Sequence, residues 1–207
     1  LYGITPSDSL VAAFGPWAVL GPALGIASAV PDMDPSSPGS LRAVALADAA
    51  AAVHATLVWA SPAAVRSVLA SSSELTPAQH KALGHVRLLM SAGAPVPRAL
   101  LERASAVLPR AEAHTPYGMT EVLPVADIAL ADLPEAGTGV CVGRPVPGVR
   151  LAITALGPDG MPSGAPATRP GVTGEVLVSA PHAKDRYDRL WATENESGSH
   201  AGWHRTG

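Results

Sequence analysis

The sequence predicts an α/β protein, with a parallel-sheet α/β lobe in residues 1–130 and a smaller antiparallel β-rich lobe in residues 131–207. Two observations predict this division. As far as Glu121, dense apolar runs alternate with segments that carry helix-capping signals, as in a sheet whose strands are joined by helices. Beyond Glu121 this alternation stops, and glycine and proline interrupt the chain every few residues, which is typical of short antiparallel strands.

The first thirty residues combine a capping signal with a long uncharged stretch. Ser7-Asp8-Ser9 predicts the cap of a short helix over residues 10–13, and residues 25–30 predict a buried strand. No charged residue lies in residues 9–31, but two Gly-Pro pairs interrupt this stretch and no basic cluster flanks it. The pattern therefore favours a buried helix leading into a strand, and we expect no integral membrane segment.

The following elements are predicted from caps and apolar runs. The turn Pro31-Asp32-Met33-Asp34-Pro35 has two carboxylates between prolines, which favours an Asx-type turn over a metal site. Helices are predicted over residues 40–54, from Pro62 behind a Ser61 cap, from Pro77 behind a Thr76 cap, and over residues 98–107. Strands are predicted over residues 56–60, 86–90, 111–115, 122–130, 151–155 and 174–179.

The loop Ser91-Ala92-Gly93-Ala94-Pro95-Val96-Pro97 joins a predicted strand to a predicted helix. A strand, a glycine turn and a helix N-terminus together present backbone N–H groups to a ligand, although a plain tight turn has the same composition. The next strand ends at His114, a position where histidine serves either substrate contact or packing. In a parallel sheet ligands bind beyond the carboxyl ends of strands, so both strand ends would face one ligand.

Residues 114–121 combine an aromatic ring, a glycine, a hydroxyl and a carboxylate directly after that strand. Mg²⁺ prefers hard oxygen ligands and usually takes one or two carboxylates together with substrate phosphates. A glycine allows the backbone to approach a ligand closely. The alternative is structural, since a Tyr-Gly pair is common in turns with a packed ring and a Thr-Glu pair at a helix start.

The order Tyr117-Gly118-x-Thr120-Glu121 resembles the signature of the adenylate-forming superfamily, which includes acyl-CoA synthetases, adenylation domains of peptide synthetases and luciferases. The resemblance implies that the Tyr117 ring and the Gly93-Ala94-Pro95 backbone contact adenine, with Gly118 beside them. It also implies that Thr120 contacts phosphate and that Glu121 holds Mg²⁺. Thr120 and Glu121 are therefore the candidate catalytic residues, Glu121 is the candidate metal ligand, and the chain is part of a large N-terminal domain.

Further stretches resemble later signatures of the superfamily in the same order. They are Gly143-Arg144-Pro145, residues 171–176 with Tyr187 and Thr193, and Trp203-His204-Arg205-Thr206-Gly207. The last signature normally continues with an aspartate that binds both ribose hydroxyls, and this chain stops at Gly207. Within the superfamily the chain most resembles the branch that forms β-lactones in bacterial olefin biosynthesis, through residues 14–25, 30–35, 91–97, 114–126 and 139–149.

The resemblance implies a fragment of an ATP-dependent ligase that converts a carboxylic acid to an acyl-AMP and closes a long-chain β-hydroxy acid to a β-lactone. Two alternatives remain. One is a fatty acyl-CoA synthetase, which would need CoA; the other is a non-catalytic nucleotide-binding or interaction module. The fragment alone is expected to be inactive, because the phosphate loop, the ribose aspartate and the catalytic lysine belong to the remainder of the parent enzyme.

The composition indicates which kinds of partner and which cellular compartment suit the chain. The formal net charge is −3 and the basic residues are scattered, so no basic stripe is available for nucleic-acid phosphates. The single cysteine, Cys141, excludes an internal disulfide and is expected to be buried among valines. These features suit a reducing compartment, and we expect a cytoplasmic protein that binds small molecules and no nucleic acid.

Overall fold

The computed structural model describes residues 2–135, 139–184 and 199–206. Two compact units are present: Leu1–Pro116 with Ile128–Gly143, and Tyr117–Asp127 with Arg144–Gly207. The first unit is α/β with a parallel sheet and the second contains antiparallel sheets, so the predicted fold class is confirmed. The residues Tyr187, Thr193 and Gly207, which carry part of the resemblance, lie outside the described residues.

The first unit contains five strands and the helices that cover them. The strands are β1 (Ser9–Ala13), β2 (Ala27–Ala29), β3 (Leu57–Ala60), β4 (Leu88–Ser91) and β5 (Glu112–His114). The helices are α1 (Leu20–Leu24), α2 (Ala43–Val53), α3 (Pro62–Ala70), α4 (Pro77–Leu83) and α5 (Arg98–Ala104), with 3₁₀ turns at Gly15–Val19, Pro38–Ser40, Ser72–Glu74 and Leu130–Asp132. The strand order is β2-β1-β3-β4-β5, and every pairing between neighbours is parallel.

Residues 9–13 form a buried strand, and the predicted helix over residues 10–13 is wrong. β1 pairs with β2 on one side and with β3 on the other. Its alternate side chains enter two apolar clusters, because Val11 belongs to the cluster beneath α2, α3 and α5 and Leu10 to the opposite one. A strand covered on both faces has a continuous apolar run, which by periodicity alone cannot be distinguished from a short buried helix.

The polar residues that suggested a helix cap bind more distant parts of the chain. The Asp8 carboxylate accepts hydrogen bonds from Nε and Nη2 of Arg87, both at 2.9 Å, and from the Thr56 hydroxyl at 2.7 Å. The Ser9 hydroxyl donates to the His54 carbonyl at 2.8 Å. Arg87 also donates to the carbonyls of Tyr2 and Gly3, so this network joins the start of the chain to the amino ends of β1, β3 and β4.

The segment predicted as a buried strand over residues 25–30 is shorter and more exposed than expected. Only Ala27–Ala29 pairs, and β2 lies at the edge of the sheet, where Val30 is 54% exposed. The Asx-type turn that follows is confirmed, because the Asp34 carboxylate accepts from the backbone N–H and the hydroxyl of Ser36 at 2.8 and 2.7 Å. Among the described residues, no helix has both the length and the apolar character needed to cross a bilayer.

Two predicted helix caps are confirmed and one helix start is corrected. Ser61 accepts from the Ala64 N–H at 3.2 Å, and Thr76 forms a capping box with Gln79. Helix α2 begins at Ala43 instead of residue 40. Its first N–H donates to the buried hydroxyl of Ser71 at 2.9 Å, so a residue distant in sequence does part of the capping.

The second unit contains a three-stranded and a five-stranded sheet. The first has the order β6 (Tyr117–Met119), β7 (Val122–Asp127), β8 (Arg144–Pro145). The second contains β9 (Arg150–Leu156), β10 (Pro162–Ala167), β11 (Glu175–Ser179), β12 (Ser199–His200) and β13 (Trp203–Arg205), in the order β10-β9-β11-β13-β12. All the pairings are antiparallel.

The two units exchange segments around the expected domain boundary after residue 130. Tyr117–Asp127 belongs to the second unit, and Ile128–Gly143 returns to the first. The return is visible in the backbone, since the Thr115 N–H donates to the Ile128 carbonyl at 3.0 Å and His114 bridges Ala129. The strand predicted over residues 122–130 therefore ends at Asp127.

Candidate active site

The glycine loop of the first unit follows β4, next to the end of β5. The two strands are parallel neighbours, as predicted, so their carboxyl ends lie at the same edge of the sheet. Gly93, Ala94 and Pro95 are exposed, whereas Val96 is buried. Gly93 has φ +95°, a conformation that favours glycine, and a Cβ built on it would lie 3.4 Å from the Phe14 ring. The loop thus exposes backbone while its glycine covers an aromatic side chain.

An aromatic cluster, defined here as Phe14, Trp17 and Trp59, lies on the same face of the sheet. The rings of Trp17 and Trp59 stack at 3.9 Å between centroids with an interplanar angle of 27°. Trp59 is 4% exposed, and neither indole N–H has a hydrogen-bond partner among the described residues. No pattern in the sequence indicated this cluster at Trp59, which appeared only as one apolar residue of a predicted strand.

His114 lies at the end of β5 with its side chain 13% exposed. The Tyr2 ring meets the imidazole edge-on at 5.2 Å between centroids, and Nε2 of His114 is 3.3 Å from Oε1 of Glu112. These contacts explain the orientation of the ring within the first unit.

The motif residues of the second unit lie on a β-hairpin. β6 and β7 are antiparallel, with Met119 opposite Val122, so Thr120 and Glu121 form the two-residue turn between them. Thr120 is exposed and Glu121 is half-buried. The sequence indicated a loop after a strand, but the structure makes Tyr117–Met119 a strand itself. The hairpin therefore holds Tyr117, Gly118, Thr120 and Glu121 within one local element.

Gly118 has a structural reason to be glycine. A Cβ at this position would lie 2.4 Å from Cδ1 of Leu123, 2.9 Å from the Val122 carbonyl oxygen and 3.2 Å from Cα of Leu123. Two of these atoms belong to the backbone of β7 and cannot rotate away. The close approach that glycine permits here is thus to the partner strand, whereas the sequence suggested an approach to a ligand.

Lys184 and His204 share the electrostatic environment of Glu121. The Lys184 N–H donates to the Glu121 carbonyl at 2.8 Å. Burial lowers the pKa of the His204 imidazole below its usual value, and the positive charge of Lys184 lowers this pKa further, while the negative charge of Glu121 opposes both. Sequence reasoning missed Lys184 and assigned His204 no role, because neither has a local pattern that links it to the hairpin.

The donor set at the turn suits Mg²⁺ that is bound mainly through a substrate. Glu121 supplies a half-buried carboxylate and Thr120 an adjacent hydroxyl, both hard oxygen donors. Among the described residues no group of three or more histidine, cysteine, aspartate or glutamate side chains could form a protein cage for a metal. The residues present thus fit an ion that takes one carboxylate and completes its coordination with phosphates and water.

The predicted site residues belong to both units. Gly93, Ala94 and Pro95 lie in the first, and the hairpin residues lie in the second.

Cys141, expected to be a buried thiol, is exposed, and that prediction is wrong. Gly143-Arg144-Pro145 leads into β8, and β8 pairs with β7. These residues therefore support the hairpin from the side.

Two features allow the chain to be compared with known protein families. They are a parallel-sheet unit with a glycine loop after β4 and a second unit that presents Tyr-Gly-Met-Thr-Glu on a hairpin. Residues 9–187 match the family of AMP-binding enzymes, and the chain belongs to that family. Membership agrees with the resemblance seen in the sequence.

The chain is also similar to individual proteins of known sequence and structure. The chain is 38% identical over 204 residues to the olefin β-lactone synthetase of Xanthomonas campestris pv. campestris, covering 94% of this chain and 35% of that protein. Among solved structures, it is similar to an ATP-bound RpMatB-BxBclM chimera, with a TM-score of 0.70 and 22% identity over 100% of this chain and 38% of the other. It is also similar to a malonyl-CoA ligase with methylmalonyl-CoA and AMP bound, with a TM-score of 0.66, 27% identity and coverage of 100% and 42%. The chain thus spans about a third of the length of the curated relative.

Proposed function

We propose that the parent enzyme activates a carboxylic acid with ATP, releases pyrophosphate to form an acyl-AMP, and closes a long-chain β-hydroxy acid to a β-lactone. The observation that carries this proposal is the 38% identity to an olefin β-lactone synthetase over 94% of the chain. The ATP-bound chimera and the AMP-bound ligase among the similar structures support the nucleotide. We place the enzyme in the cytoplasm, because the single cysteine of this chain suits a reducing compartment.

Each site residue receives a role that its chemistry supports. The Glu121 carboxylate holds Mg²⁺, and the exposed Thr120 hydroxyl donates to a phosphate oxygen. The Tyr117 ring and the exposed backbone of residues 93–95 bind adenine, and Gly118 keeps the Tyr117 strand close to β7. When bound, Mg²⁺ would neutralise charge that develops on the phosphates, while the protein supplies positioning.

The second step needs no external nucleophile. The β-hydroxyl oxygen of the substrate attacks the acyl carbonyl carbon, the bond to AMP breaks, and the hydroxyl proton passes to solvent or to a base. Because both groups belong to one molecule, this step has the high effective molarity of an intramolecular reaction. Phe14 and Trp17, which are half-buried and pack against the buried cluster that contains Trp59, offer apolar surface for an acyl chain, and Phe14 lies beside Gly93.

Thioester formation with CoA is the second candidate. The observation that favours it is the similarity to the malonyl-CoA ligase, which reaches 27% identity over the whole of this chain. Adenylation is common to both candidates, and they differ only in the group that attacks the acyl-AMP. The distinguishing experiment must therefore follow the second step.

The full-length enzyme would be incubated with ATP, Mg²⁺ and a long-chain 2-alkyl-3-hydroxy acid, with and without CoA. The matched control substrate is the same 2-alkyl acid without the 3-hydroxyl group, because it can be adenylated but cannot close. We expect the hydroxy acid to yield AMP and a product lighter than the acid by one water, without CoA. The control acid should instead stop at the acyl-AMP.

The opposite outcomes are equally clear. If AMP release required CoA and mass spectrometry showed only a thioester, the enzyme would be an acyl-CoA synthetase. If neither acid supported exchange of pyrophosphate into ATP, adenylation itself would be excluded, and a non-catalytic nucleotide-binding or interaction module would remain.

A further inference from the structure

The turn that carries Glu121 is held by a short segment from the other sheet of the second unit. We propose that this segment, residues 180–184 and called the clamp here, is a positioning element for the Glu121 carboxylate, with His182 as its positioning side chain. The inference rests on the proposed function, because it assigns to Glu121 the task of holding Mg²⁺. It adds residues that neither the motif nor the family match singles out.

Two hydrogen bonds carry the proposal. The Lys184 N–H donates to the Glu121 carbonyl at 2.8 Å, and the His182 Nε2–H donates to the Pro124 carbonyl at 3.0 Å. Along β7 the acceptor moves forward from Glu121 to Pro124, while along the clamp the donor moves back from Lys184 to His182. The clamp therefore lies antiparallel to the start of β7. Within the clamp the Ala183 N–H donates to the Ala180 carbonyl at 3.2 Å, which shapes its turn.

These bonds support a part of the hairpin that its neighbouring strand does not reach. β8 pairs with β7 at Ala126 and Asp127, and the Val146 N–H donates to the Val125 carbonyl. Among the described pairings, β8 therefore supports only the last residues of β7. The clamp bonds cover the interval from Glu121 to Pro124, which is the part next to the turn.

The clamp is also anchored in the sheet from which it emerges. It follows β11, a central strand of the five-stranded sheet that pairs with β9 through five consecutive positions and with β13 through Val178 and Leu177. Both of these residues are fully buried. The turn is therefore tied to the interior of the larger sheet and does not depend on a two-stranded hairpin alone, which is marginal in isolation.

Positioning matters at this site because the metal would take few ligands from the protein. A single carboxylate contributes fully to holding the metal and its nucleotide only if its backbone holds it at the required place. Loosening the clamp should therefore weaken the use of Mg²⁺-nucleotide more than it changes the maximal rate. A weaker affinity for Mg²⁺-nucleotide with a nearly unchanged maximal rate would not follow from a general loss of folded protein.

The test uses His182→Ala and His182→Gln in the full-length enzyme, with His200→Ala as the matched control. Glutamine retains a side-chain donor, so His182→Gln is the conservative variant. His200 is also a histidine of the second unit whose Nε2 binds a carbonyl, that of Gly164 at 2.9 Å, but it is half-buried and lies in the five-stranded sheet. Three quantities are measured: hydrogen exchange of peptides covering residues 117–127, MgATP affinity by calorimetry, and acid-dependent pyrophosphate exchange.

We expect His182→Ala to speed amide exchange in residues 117–127 and to weaken MgATP binding about 10-fold, the effect of losing about one hydrogen bond to β7 next to the turn. The maximal rate should change by less than about threefold, and His182→Gln should restore most of the affinity. His200→Ala should match the wild type in all three measurements.

Each contrary result has one meaning. If His182→Ala behaved like His200→Ala, the clamp would not hold the turn. If amide exchange rose while MgATP affinity stayed at the wild-type value, the clamp would be structural only and the proposal would be wrong. If the wild-type enzyme itself bound no MgATP, the proposed function would fail, and this result is recognisable before any variant is made.

Discussion

Replacing Gly118 with alanine separates a structural role from a ligand-binding role. The added Cβ would lie 2.9 Å from the Val122 carbonyl oxygen, about 0.5 Å inside the 3.4 Å at which ordinary contacts begin. The Leu123 side chain at 2.4 Å can rotate, but the Val122 carbonyl oxygen and the Leu123 Cα belong to the backbone. The hairpin must therefore open, and overpacking of this kind costs about 1–3 kcal/mol.

Local hydrogen exchange is the suitable assay because it reports the opening of the hairpin and not the unfolding of a large enzyme. A cost of about 1–3 kcal/mol corresponds to about 5- to 150-fold faster exchange of the β6 and β7 amides. Gly39→Ala is the control, since a Cβ there meets nothing within 4 Å and the φ of Gly39 is not positive. It should leave the exchange of these amides unchanged.

The result that would refute this reasoning is specific. If Gly118→Ala left amide exchange in residues 117–127 at the level of Gly39→Ala but weakened MgATP binding, the glycine would be required by the nucleotide and not by β7. If exchange rose and nucleotide binding fell together, the hairpin would be the common cause. The geometry predicts this second pattern.

Two further predictions concern carboxylates. In the full-length enzyme, Glu121→Gln should lower kcat about 100-fold or more, because it removes the charge of a preorganised electrostatic group; a kcat within about threefold of wild type would exclude the metal assignment. Asp8→Asn should lower the free energy of unfolding by about 1–3 kcal/mol at neutral pH, since hydrogen bonds from Arg87 hold the pKa of the buried Asp8 carboxyl well below its usual value. A carboxyl whose pKa is lowered by folding stabilises the fold above its unfolded-state pKa of about 4, and this stabilisation is lost as the pH falls. Urea titrations should therefore show the difference in unfolding free energy between wild type and Asp8→Asn shrinking between about pH 5 and pH 2. A difference independent of pH would contradict this.

Elements with local signals could be predicted from the sequence. The caps of α3 and α4 depend on side chains within three residues of the N–H groups they bind, as with Ser61 and Ala64. The order of motifs that resembles the superfamily is also local in this sense, because it requires only residue types in sequence. These two kinds of signal suffice for the parallel-sheet lobe, its neighbouring strands β4 and β5, and the candidate residues on the loop and hairpin.

Elements that depend on distant partners could not be predicted. Asp8 and Ser9 have the composition of a helix cap, but their side chains bind Arg87, Thr56 and His54, and this frees the following residues to extend as β1. Helix α2 starts late because part of its cap is supplied by Ser71, 28 residues beyond Ala43. A single sequence does not show these pairings, so local propensity gave the wrong element in the first case and the wrong start in the second.

The same reasoning explains which part of the candidate site was missed. The motif places Glu121 next to Thr120 in the chain, but what fixes the carboxylate in space is the register of Met119 opposite Val122 and the bonds from the clamp. Neither contact leaves a pattern in the sequence, since Lys184 lies 63 positions further along and donates through its backbone, which every residue except proline can do. Residue identity therefore predicts the chemistry of the turn, whereas its position depends on the Lys184 backbone N–H, which many residue types could supply, and on the His182 side chain, whose bond to Pro124 has no local pattern in the sequence. A site of this kind tolerates varied residues at position 184, where the backbone donates, and few at position 182 or in the turn.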